Sequence, residues 1–173
     1  QACLVIPEGL ESECHLMFEF SLACAKALPE IKFIWRLHPA MNYEFLLSHN
    51  NKLRSLPCNI TLSQATLEED TSQCRWALYR GTTAIVQAVV AGLRPIYLQL
   101  PEELSIDPLY ELKGWRNIVN SIEDFERVIK GDKDCLPIES ESEFRTAEEY
   151  CKEFYTPINP AILQTAIFAN HTV

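Results

Sequence analysis

Short apolar segments alternate with longer amphipathic segments along most of this 173-residue chain, and this alternation limits the folds open to it. Strands separated by helices pair in parallel, because each helix carries the chain back across a face of the sheet. The order predicts an α/β fold, a doubly wound, mostly parallel, six-strand Rossmann-like sheet covered on both faces. The strand-like segments are residues 3–7, 31–39, 59–63, 75–80, 94–99 and 117–120.

The length predicts one domain with a sizeable core. Residues 1–130 carry the strand and helix alternation, and residues 131–173 are predicted to form C-terminal helices that pack on the same domain. The last of these is the segment 158–170, "INPAILQTAIFAN", predicted as a closing helix. Because the chain begins at Gln1 with no initiator Met, we expect a piece of a longer protein.

Composition excludes several classes of protein. The net charge of −9 argues against a nucleic-acid partner, which normally meets a basic face. No apolar run approaches the ~20 residues of a membrane helix, and no signal peptide is visible. Seven cysteines without a CxxC pair indicate reduced, mostly buried thiols rather than a disulfide framework or metal site. We therefore expect a cytoplasmic protein, in which the sequons at Asn59 and Asn170 have no role.

The residues that follow each strand are the candidate site, because ligands of such sheets bind beyond the carboxyl ends of the strands. After the fourth strand, Gly81 permits close backbone approach, and Thr82 or Thr83 can cap the next helix and offer hydroxyls to an anion. A simple helix cap without a ligand explains the same residues. Glu8 and Gly9 repeat the arrangement after the first strand, more weakly.

The second strand-like segment, "IKFIWRLHP", ends in a cation, a histidine and a proline. Arg36 and His38 are two residues apart, so on a strand they would share one face, where both can donate to an oxygen anion. Pro39 would end the strand. A structural histidine at a strand end is the alternative, but three anion-compatible strand ends in one sheet favour a ligand site.

Familiar motifs are missing from the sequence. It contains no GxGxxG, no GxxxxGK[ST] and no GxSxG, which argues against a classical dinucleotide fold, a P-loop and a hydrolase nucleophile elbow. Asp132-Lys133-Asp134 matches the DxD pattern of some metal-dependent sugar transferases, but it follows a helix rather than a strand. We therefore expect no metal ligands and no cofactor.

Two segments resemble the C-terminal, donor-binding half of a GT-B glycosyltransferase. "IKFIWRLHP" is similar to the strand that ends in a basic residue, one spacer and His-Pro in bacterial capsule and lipopolysaccharide Kdo transferases and polysialyltransferases, which use CMP-sugars. "WALYRGTTAIVQAVVAGLRPIYLQ" is similar to the family's small-residue pair, Ala-rich helix and Gly-x-x-Pro before the next strand. The resemblance covers roughly residues 3–125, and Thr-Thr replaces the Ser-Ser of many members.

The resemblance implies a role for each candidate residue. His38 would contact the donor nucleotide or phosphate and stabilise the CMP leaving group, making it the catalytic residue, and Arg36 would support it. Gly81, Thr82 and Thr83 would hold the donor phosphate. Further substrate-binding roles fall on Glu8 and Gly9, lining the donor pocket, and on Glu102, near the ribose or sugar.

The resemblance also implies partners and a reaction. The expected function is transfer of a Kdo- or sialic-acid-type sugar from a CMP donor, without metal, to a bacterial surface polysaccharide or glycolipid. The N-terminal GT-B domain of the same polypeptide, which usually supplies the catalytic carboxylate, is expected outside this chain. Any association with the inner membrane would likewise come from elsewhere. The alternatives are a CDP-glycerol-type phosphotransferase, a UDP-sugar GT-B enzyme, and a non-catalytic nucleotide-binding or interaction module.

Overall fold

A computed structural model describes residues 1–133 and 137–154. The strands are β1 (Ala2–Ile6), β2 (Lys32–Trp35), β3 (Ile60–Leu62), β4 (Trp76–Tyr79), β5 (Arg94–Leu98) and β6 (Asn117–Val119). The α-helices are α1 (Glu11–Ala27), α2 (Tyr43–His49), α3 (Leu67–Gln73), α4 (Ala84–Val90), α5 (Ile122–Lys133) and α6 (Pro137–Glu153), with a short 3₁₀ helix at Asn51–Arg54.

The six strands form one sheet in the order β3-β2-β1-β4-β5-β6, and every neighbouring pair is parallel. The prediction of a doubly wound, six-strand Rossmann-like sheet is confirmed. The chain builds outward from β1 to β3, then returns to the other side of β1 and builds outward to β6. The direction of winding therefore reverses between β1 and β4, which is where such sheets open a crevice for a ligand.

A hydrophobic core lies on each face of the sheet. β1 is buried along its whole length, as expected for a central parallel strand, and its side chains alternate between the two cores. On one face α1, α2 and α5 cover the sheet, and the rings of Phe18 and Trp35 stack with centroids 4.3 Å apart. On the other face α4 and α6 pack over Tyr79 and Tyr97.

The second strand is shorter than the sequence predicts. β2 ends at Trp35, so Arg36 and His38 lie in the loop that follows it. The Arg36 N–H still donates to the Val5 carbonyl (3.0 Å), but Pro7 has no N–H with which β1 could continue the pairing. The prediction that Arg36 and His38 share one face of a strand is therefore wrong, and the two side chains contact different elements.

The acidic DxD-like segment lies at the opposite edge of the sheet from the carboxyl ends of the strands. Asp132 is buried and accepts hydrogen bonds from Nε of Arg75 (2.5 Å) and Nε1 of Trp76 (2.9 Å). It also forms an ion pair with Nη1 of Arg94 (2.6 Å). Asp132 thus joins the starts of β4 and β5 to α5, while Asp134 lies outside the described residues.

The cysteines within the described residues are free thiols, as the sequence predicts. Cys135 lies outside the described residues. The buried thiols are Cys3, Cys14, Cys24 and Cys151; Cys74 is partly buried and Cys58 is exposed.

α6 packs against α4 on one face of the sheet, where Ala147 and Cys151 join the core formed with Val86 and Val89. The predicted closing helix at 158–170 lies outside the described residues, and the division at residue 130 stays a prediction. None of the described helices has both the length and the apolar character that crossing a membrane requires.

Candidate functional site

Most of the predicted site residues follow β1, β2 and β4, which are neighbours in the sheet. The loop after β1 carries Glu8 and Gly9, and it lies between the loop that carries His38 and the turn that begins at Gly81. Because β1 and β4 flank the reversal of winding, this group occupies the place where a doubly wound sheet binds its ligand.

Glu8 packs directly on Gly81. A Cβ added at Gly81 would overlap Oε1 of Glu8 and approach Cδ1 of Ile106 to 3.0 Å. Glycine therefore leaves room here for the close approach of a side chain and is not needed for an unusual backbone conformation. Glu8 is half-buried, and its carboxylate makes no hydrogen bond or ion pair with another described residue. A partly desolvated carboxylate of this kind is able to accept hydroxyl hydrogens from a ligand.

His38 lies against Gly9. A Cβ added at Gly9 would come within 2.7 Å of His38 Nδ1, so this glycine too permits a close contact. The same Nδ1 accepts a hydrogen bond from the Ala40 N–H (3.1 Å). In neutral His38 the proton must therefore be on Nε2, which makes no hydrogen bond within the described part of the chain. The exposed imidazole thus presents an N–H donor at the carboxyl edge of the sheet.

The two threonines after Gly81 differ in environment. Thr82 is buried, and its Oγ1 accepts a hydrogen bond from the Ala84 N–H (3.3 Å) at the start of α4. Thr83 is exposed and makes no capping hydrogen bond. The helix-cap interpretation therefore describes Thr82, while the Thr83 hydroxyl is available to a ligand.

Arg36 points away from His38 and forms an ion pair with a buried carboxylate. Its Nη1 lies 2.8 Å from Oδ2 of Asp70 and donates to the Ala65 carbonyl (2.6 Å). The Ser63 hydroxyl also donates to Asp70, so the loop after β3 and the start of α3 are fixed together. Arg36 therefore has the buried partner that a charged residue at a strand end needs, and its predicted supporting role would be indirect.

Arg80 directly precedes Gly81 in the chain and was not among the predicted residues. Its buried guanidinium forms ion pairs with Glu13 of α1 (2.7 Å) and Glu103 of the loop after β5 (2.7 Å), and it donates to the Leu98 carbonyl (3.0 Å). Burial opposes its charged form, but Glu103 and Glu13 outweigh that effect and raise the pKa of Arg80 above its usual value. Arg80 thus fixes the elements that surround Gly81. The sequence feature that could have identified Arg80 is a cation placed between the apolar segment "WALY" and a glycine.

The loop after β5 contributes less than predicted to the candidate site. Glu102 is exposed, adopts a positive φ of 64° and makes no hydrogen bond with another described residue. In the same loop, Leu104 is 91% exposed and Ile106 is 45% exposed. Two other members of this loop contact the turn after β4: Ile106 lies over Gly81, and Glu103 pairs with Arg80. The predicted role of Glu102 has no geometric support here and stays a prediction.

Together these groups offer complementary hydrogen-bonding chemistry on the loops that follow three neighbouring strands. Nε2 of His38 and the Thr83 hydroxyl are donors, and the Glu8 carboxylate is an acceptor. Such a set suits a ligand that carries both an anionic group and hydroxyl groups. Among residues 1–133 and 137–154, no group of three or more His, Cys, Asp or Glu side chains is arranged to hold a metal ion.

Comparison of sequences identifies no relative: no protein-family model and no curated protein matches the chain. Comparison of structures finds solved glycosyltransferases with a similar fold. The glycotransferase of kitacinnamycin aligns with a TM-score of 0.59 at 13% identity, over 88% of this chain and 39% of that protein. The glycosyltransferase SnogD from Streptomyces nogalater aligns with a TM-score of 0.52 at 16% identity, over 96% of this chain and 43% of SnogD.

These identities establish the fold and nothing finer. The chain shares the Rossmann-like fold of part of each of these two glycosyltransferases, which agrees with the fold predicted from the sequence. It spans about two fifths of the length of each solved glycosyltransferase.

Proposed function

We propose that this chain is the donor-binding domain of a glycosyltransferase that transfers a Kdo- or sialic-acid-type sugar from a CMP-activated donor to a surface polysaccharide or glycolipid. The observation that carries the proposal is the contact of the β1 loop with both neighbouring loops, Gly9 with His38 and Glu8 with Gly81, at the reversal of winding. The fold shared with two solved glycosyltransferases supports the same reaction class.

In this proposal the donor phosphate lies between His38 and Thr83. A CMP-linked sugar has one phosphate as its leaving group, and breaking the bond from the anomeric carbon to the phosphate oxygen leaves the electron pair on that oxygen. The Nε2–H of His38 would donate to the phosphate as its charge grows, which stabilises the transition state more than the ground state. The acceptor hydroxyl then bonds to the anomeric carbon and passes its proton to a catalytic carboxylate, which we propose lies outside this chain.

The remaining predicted residues would bind and position the donor. Glu8 would accept hydroxyl hydrogens of the ribose or sugar, and Gly9 and Gly81 would let it approach both neighbouring loops. Arg36 would act through its ion pair with Asp70, which fixes the loop after β3. Arg80 would keep the β4 turn in place through its two ion pairs.

The other parts of the reaction are proposed to lie outside this chain. An N-terminal GT-B domain of the same polypeptide would supply the catalytic carboxylate and much of the acceptor site. The proposal involves no metal ion and no cofactor, because the donor set around His38 serves the leaving phosphate directly. We propose a cytoplasmic enzyme whose contact with the membrane, where its acceptor is a glycolipid, comes from other segments.

Calorimetric titration of the chain with CMP, CDP and UDP tests the proposal. We expect selective binding of CMP, and we expect His38→Ala to weaken it by roughly a hundredfold, the cost of one charge-assisted hydrogen bond. His49→Ala is the matched control, because His49 is also exposed but lies at the end of α2.

Each other result points to a different function. Preference for CDP would favour a CDP-glycerol-type phosphotransferase, and preference for UDP a UDP-sugar enzyme. If no nucleotide binds, the titration is repeated on the full-length protein. Absence of binding there would contradict the proposal and favour a non-catalytic interaction module.

A further inference from the structure

The loop after β5, residues 99–107, is here named the β5 loop, and it lies over the turn that follows β4. Cδ1 of Ile106 is 3.0 Å from the position that a Cβ would take at Gly81. Oε2 of Glu103 is 2.7 Å from Nη2 of Arg80. Because Gly81 belongs to the candidate site, the contacts that hold the β5 loop in place decide how much of that site a ligand can reach.

The C-terminal end of the β5 loop is fixed by buried groups. Asp107 is only 5% exposed, and its Oδ1 accepts hydrogen bonds from the Tyr79 hydroxyl (2.8 Å) and the Leu109 N–H (2.8 Å). Nη1 of Arg116 forms an ion pair with Oδ2 of the same carboxylate (2.9 Å). Separating a buried carboxylate from its partners is costly, so Asp107 keeps its place.

The rest of the β5 loop is held by groups that water reaches. The Glu103 side chain is 47% exposed, and exposed ion pairs contribute little to stability and are weakened by salt. The Gln99 amide donates to the Glu103 carbonyl (3.2 Å) at the surface. The Ile106 N–H donates to the Tyr97 hydroxyl (3.2 Å), a neutral hydrogen bond that water can replace.

Opening the loop at Glu103 leaves no buried charge without a partner. Arg80 keeps its ion pair with Glu13 and its hydrogen bond to the Leu98 carbonyl. The freed Glu103 carboxylate returns to water, where it is well solvated. This part of the loop therefore opens at a lower cost than the part fixed by Asp107.

Two features of the same part of the loop favour opening. Glu102 has a φ of 64°, in the left-handed region that disfavours a residue with a Cβ. Leu104 is 91% exposed, so the closed loop buries almost none of its apolar surface. The Glu103 ion pair thus holds a loop whose backbone is strained and whose tip makes little contact.

We propose that residues 100–106 form a lid over the candidate site, hinged at Asp107 and latched by the Glu103 ion pair. Opening the latch moves Ile106 off Gly81 and gives a ligand access to the turn after β4. Because the latch is an exposed ion pair, high salt favours the open lid. The lid is a property of the chain without ligand, so the inference does not depend on the proposed function.

Hydrogen exchange of single amides in the 173-residue chain, read by NMR, tests the proposal because two amides report on its two ends. The Ile106 N–H is bonded to the Tyr97 hydroxyl and moves with the lid. The Leu109 N–H is bonded to the Asp107 carboxylate at the hinge. We expect Glu103→Ala to speed exchange at Ile106 by about fivefold and to leave exchange at Leu109 unchanged.

Glu102→Ala is the matched control, because it removes the neighbouring carboxylate, which makes no hydrogen bond with another described residue. It should leave exchange at Ile106 unchanged. Glu102→Asn removes the same charge but supplies a residue that tolerates the left-handed region, so Ile106 should exchange more slowly than in Glu102→Ala. Raising sodium chloride from about 0.05 M to about 0.5 M should speed exchange at Ile106 in the wild type but not in Glu103→Ala.

Three results would overturn the proposal. Equal exchange rates at Ile106 in the wild type and in Glu103→Ala would mean that the ion pair is not a latch. Equal acceleration in Glu102→Ala would mean that the charge of the loop, and not the ion pair, holds it closed. Acceleration at Leu109 as large as that at Ile106 would mean that the whole segment unfolds, without a hinge at Asp107.

Discussion

At the scale of single residues, the candidate site depends on two positions where a side chain packs on a glycine. Gly81 faces the Glu8 carboxylate, and Gly9 faces the His38 ring. Neither glycine has a positive φ, so both provide space, and a larger residue would move the Glu8 or His38 side chain rather than strain the backbone.

Gly81→Ala is predicted to separate binding from stability. The new Cβ would displace the Glu8 carboxylate, the end of a flexible side chain, so the free energy of unfolding should change by less than about 1 kcal/mol. Affinity for CMP should fall roughly tenfold, because one hydrogen-bond acceptor is lost from the site. Calorimetry and urea unfolding measure the two effects. Gly131→Ala is the control for affinity, since no described atom lies within 4 Å of a Cβ added there; equal affinities of the two variants would show that Glu8 does not bind the ligand.

Substitutions of the two threonines are predicted to affect different properties: Thr82→Val the stability of the fold, and Thr83→Val the binding of CMP. Thr82→Val removes the acceptor of the Ala84 N–H and should cost about 1 kcal/mol of stability, as loss of a helix cap does. Thr83→Val should leave stability within about 0.5 kcal/mol but weaken CMP binding roughly tenfold. Thermal unfolding and calorimetry on both variants provide the check, and a ligand effect confined to Thr82 would reverse the assignment.

Candidate site residues could be predicted from the sequence, but their side-chain contacts could not. The sequence made His38, Glu8 and the glycines candidates because strand ends in a doubly wound sheet converge, and their roles stay predictions. It could not show that Arg36 would pair with Asp70, since that carboxylate lies in a helix distant in sequence. Arg80 was missed for the same reason: both of its acidic partners become neighbours only when the sheet forms.

At the scale of secondary-structure elements, a side chain from a different segment completes the end of α1. Nδ2 of Asn59, just before β3, donates to the carbonyls of Ala25 (2.9 Å), Leu28 (3.3 Å) and Ile31 (2.9 Å). These carbonyls follow the end of α1 or lie in its last turn, where the helix itself offers no donors. Asn59 therefore acts as a C-terminal cap in this fold, and its amide nitrogen is already engaged.

Asn59→Asp is predicted to destabilise the fold strongly. The substitution replaces a donor with a carboxylate that faces three carbonyl oxygens, and it should lower the free energy of unfolding by about 2–3 kcal/mol. Asn51→Asp is the control, because Asn51 is exposed and only accepts, from Nε of Arg54 (2.9 Å). Urea denaturation at pH 7 compares the two, and equal midpoints would mean that the amide of Asn59 contributes nothing to the end of α1.

The start of α3 is predicted to make the stability of the fold depend on pH in the acidic range. Thr66 and Glu69 form a capping box, and the Thr66 N–H and hydroxyl hold the pKa of Glu69 below its usual value. A lowered pKa in the folded state contributes stability above the pKa of the unfolded state, and that contribution is lost as pH falls through the folded value. Glu69→Gln keeps a capping side chain but should flatten part of the acid branch of a stability curve measured from pH 6 to pH 3. Glu68→Gln, with the same change in charge and no capping bond, is the matched control.

The order and type of the elements could be predicted because hydrophobic periodicity is local. The residue at which β2 ends could not be predicted from the sequence. It is set by Pro7 of the neighbouring strand, whose missing N–H acts across the sheet rather than along the chain. The same limit applied to His38, which the sequence placed on a strand and the structure places in a loop.

At the scale of the whole molecule, the two cores share one sheet, so they should unfold together. The strand order could be predicted in outline because parallel βαβ units have few ways to connect. The packing of α6 on the second face could not be predicted, since it brings Ala147 and Cys151 against residues distant in sequence. Thiols buried in different parts of the molecule can report whether it behaves as one unit.

Labelling of the native protein with iodoacetamide is predicted to modify Cys58 rapidly and to spare Cys3, Cys14, Cys24 and Cys151. Cys58 is exposed, whereas burial raises the pKa of Cys14 and Cys151 to about 11 and that of Cys24 to about 12, which removes the reactive thiolate near neutral pH. In increasing urea, peptide-resolved labelling of the buried four should follow one common midpoint. Earlier labelling of Cys151 than of Cys3 would show that α6 separates from the sheet before the rest unfolds, and would contradict a single cooperative unit.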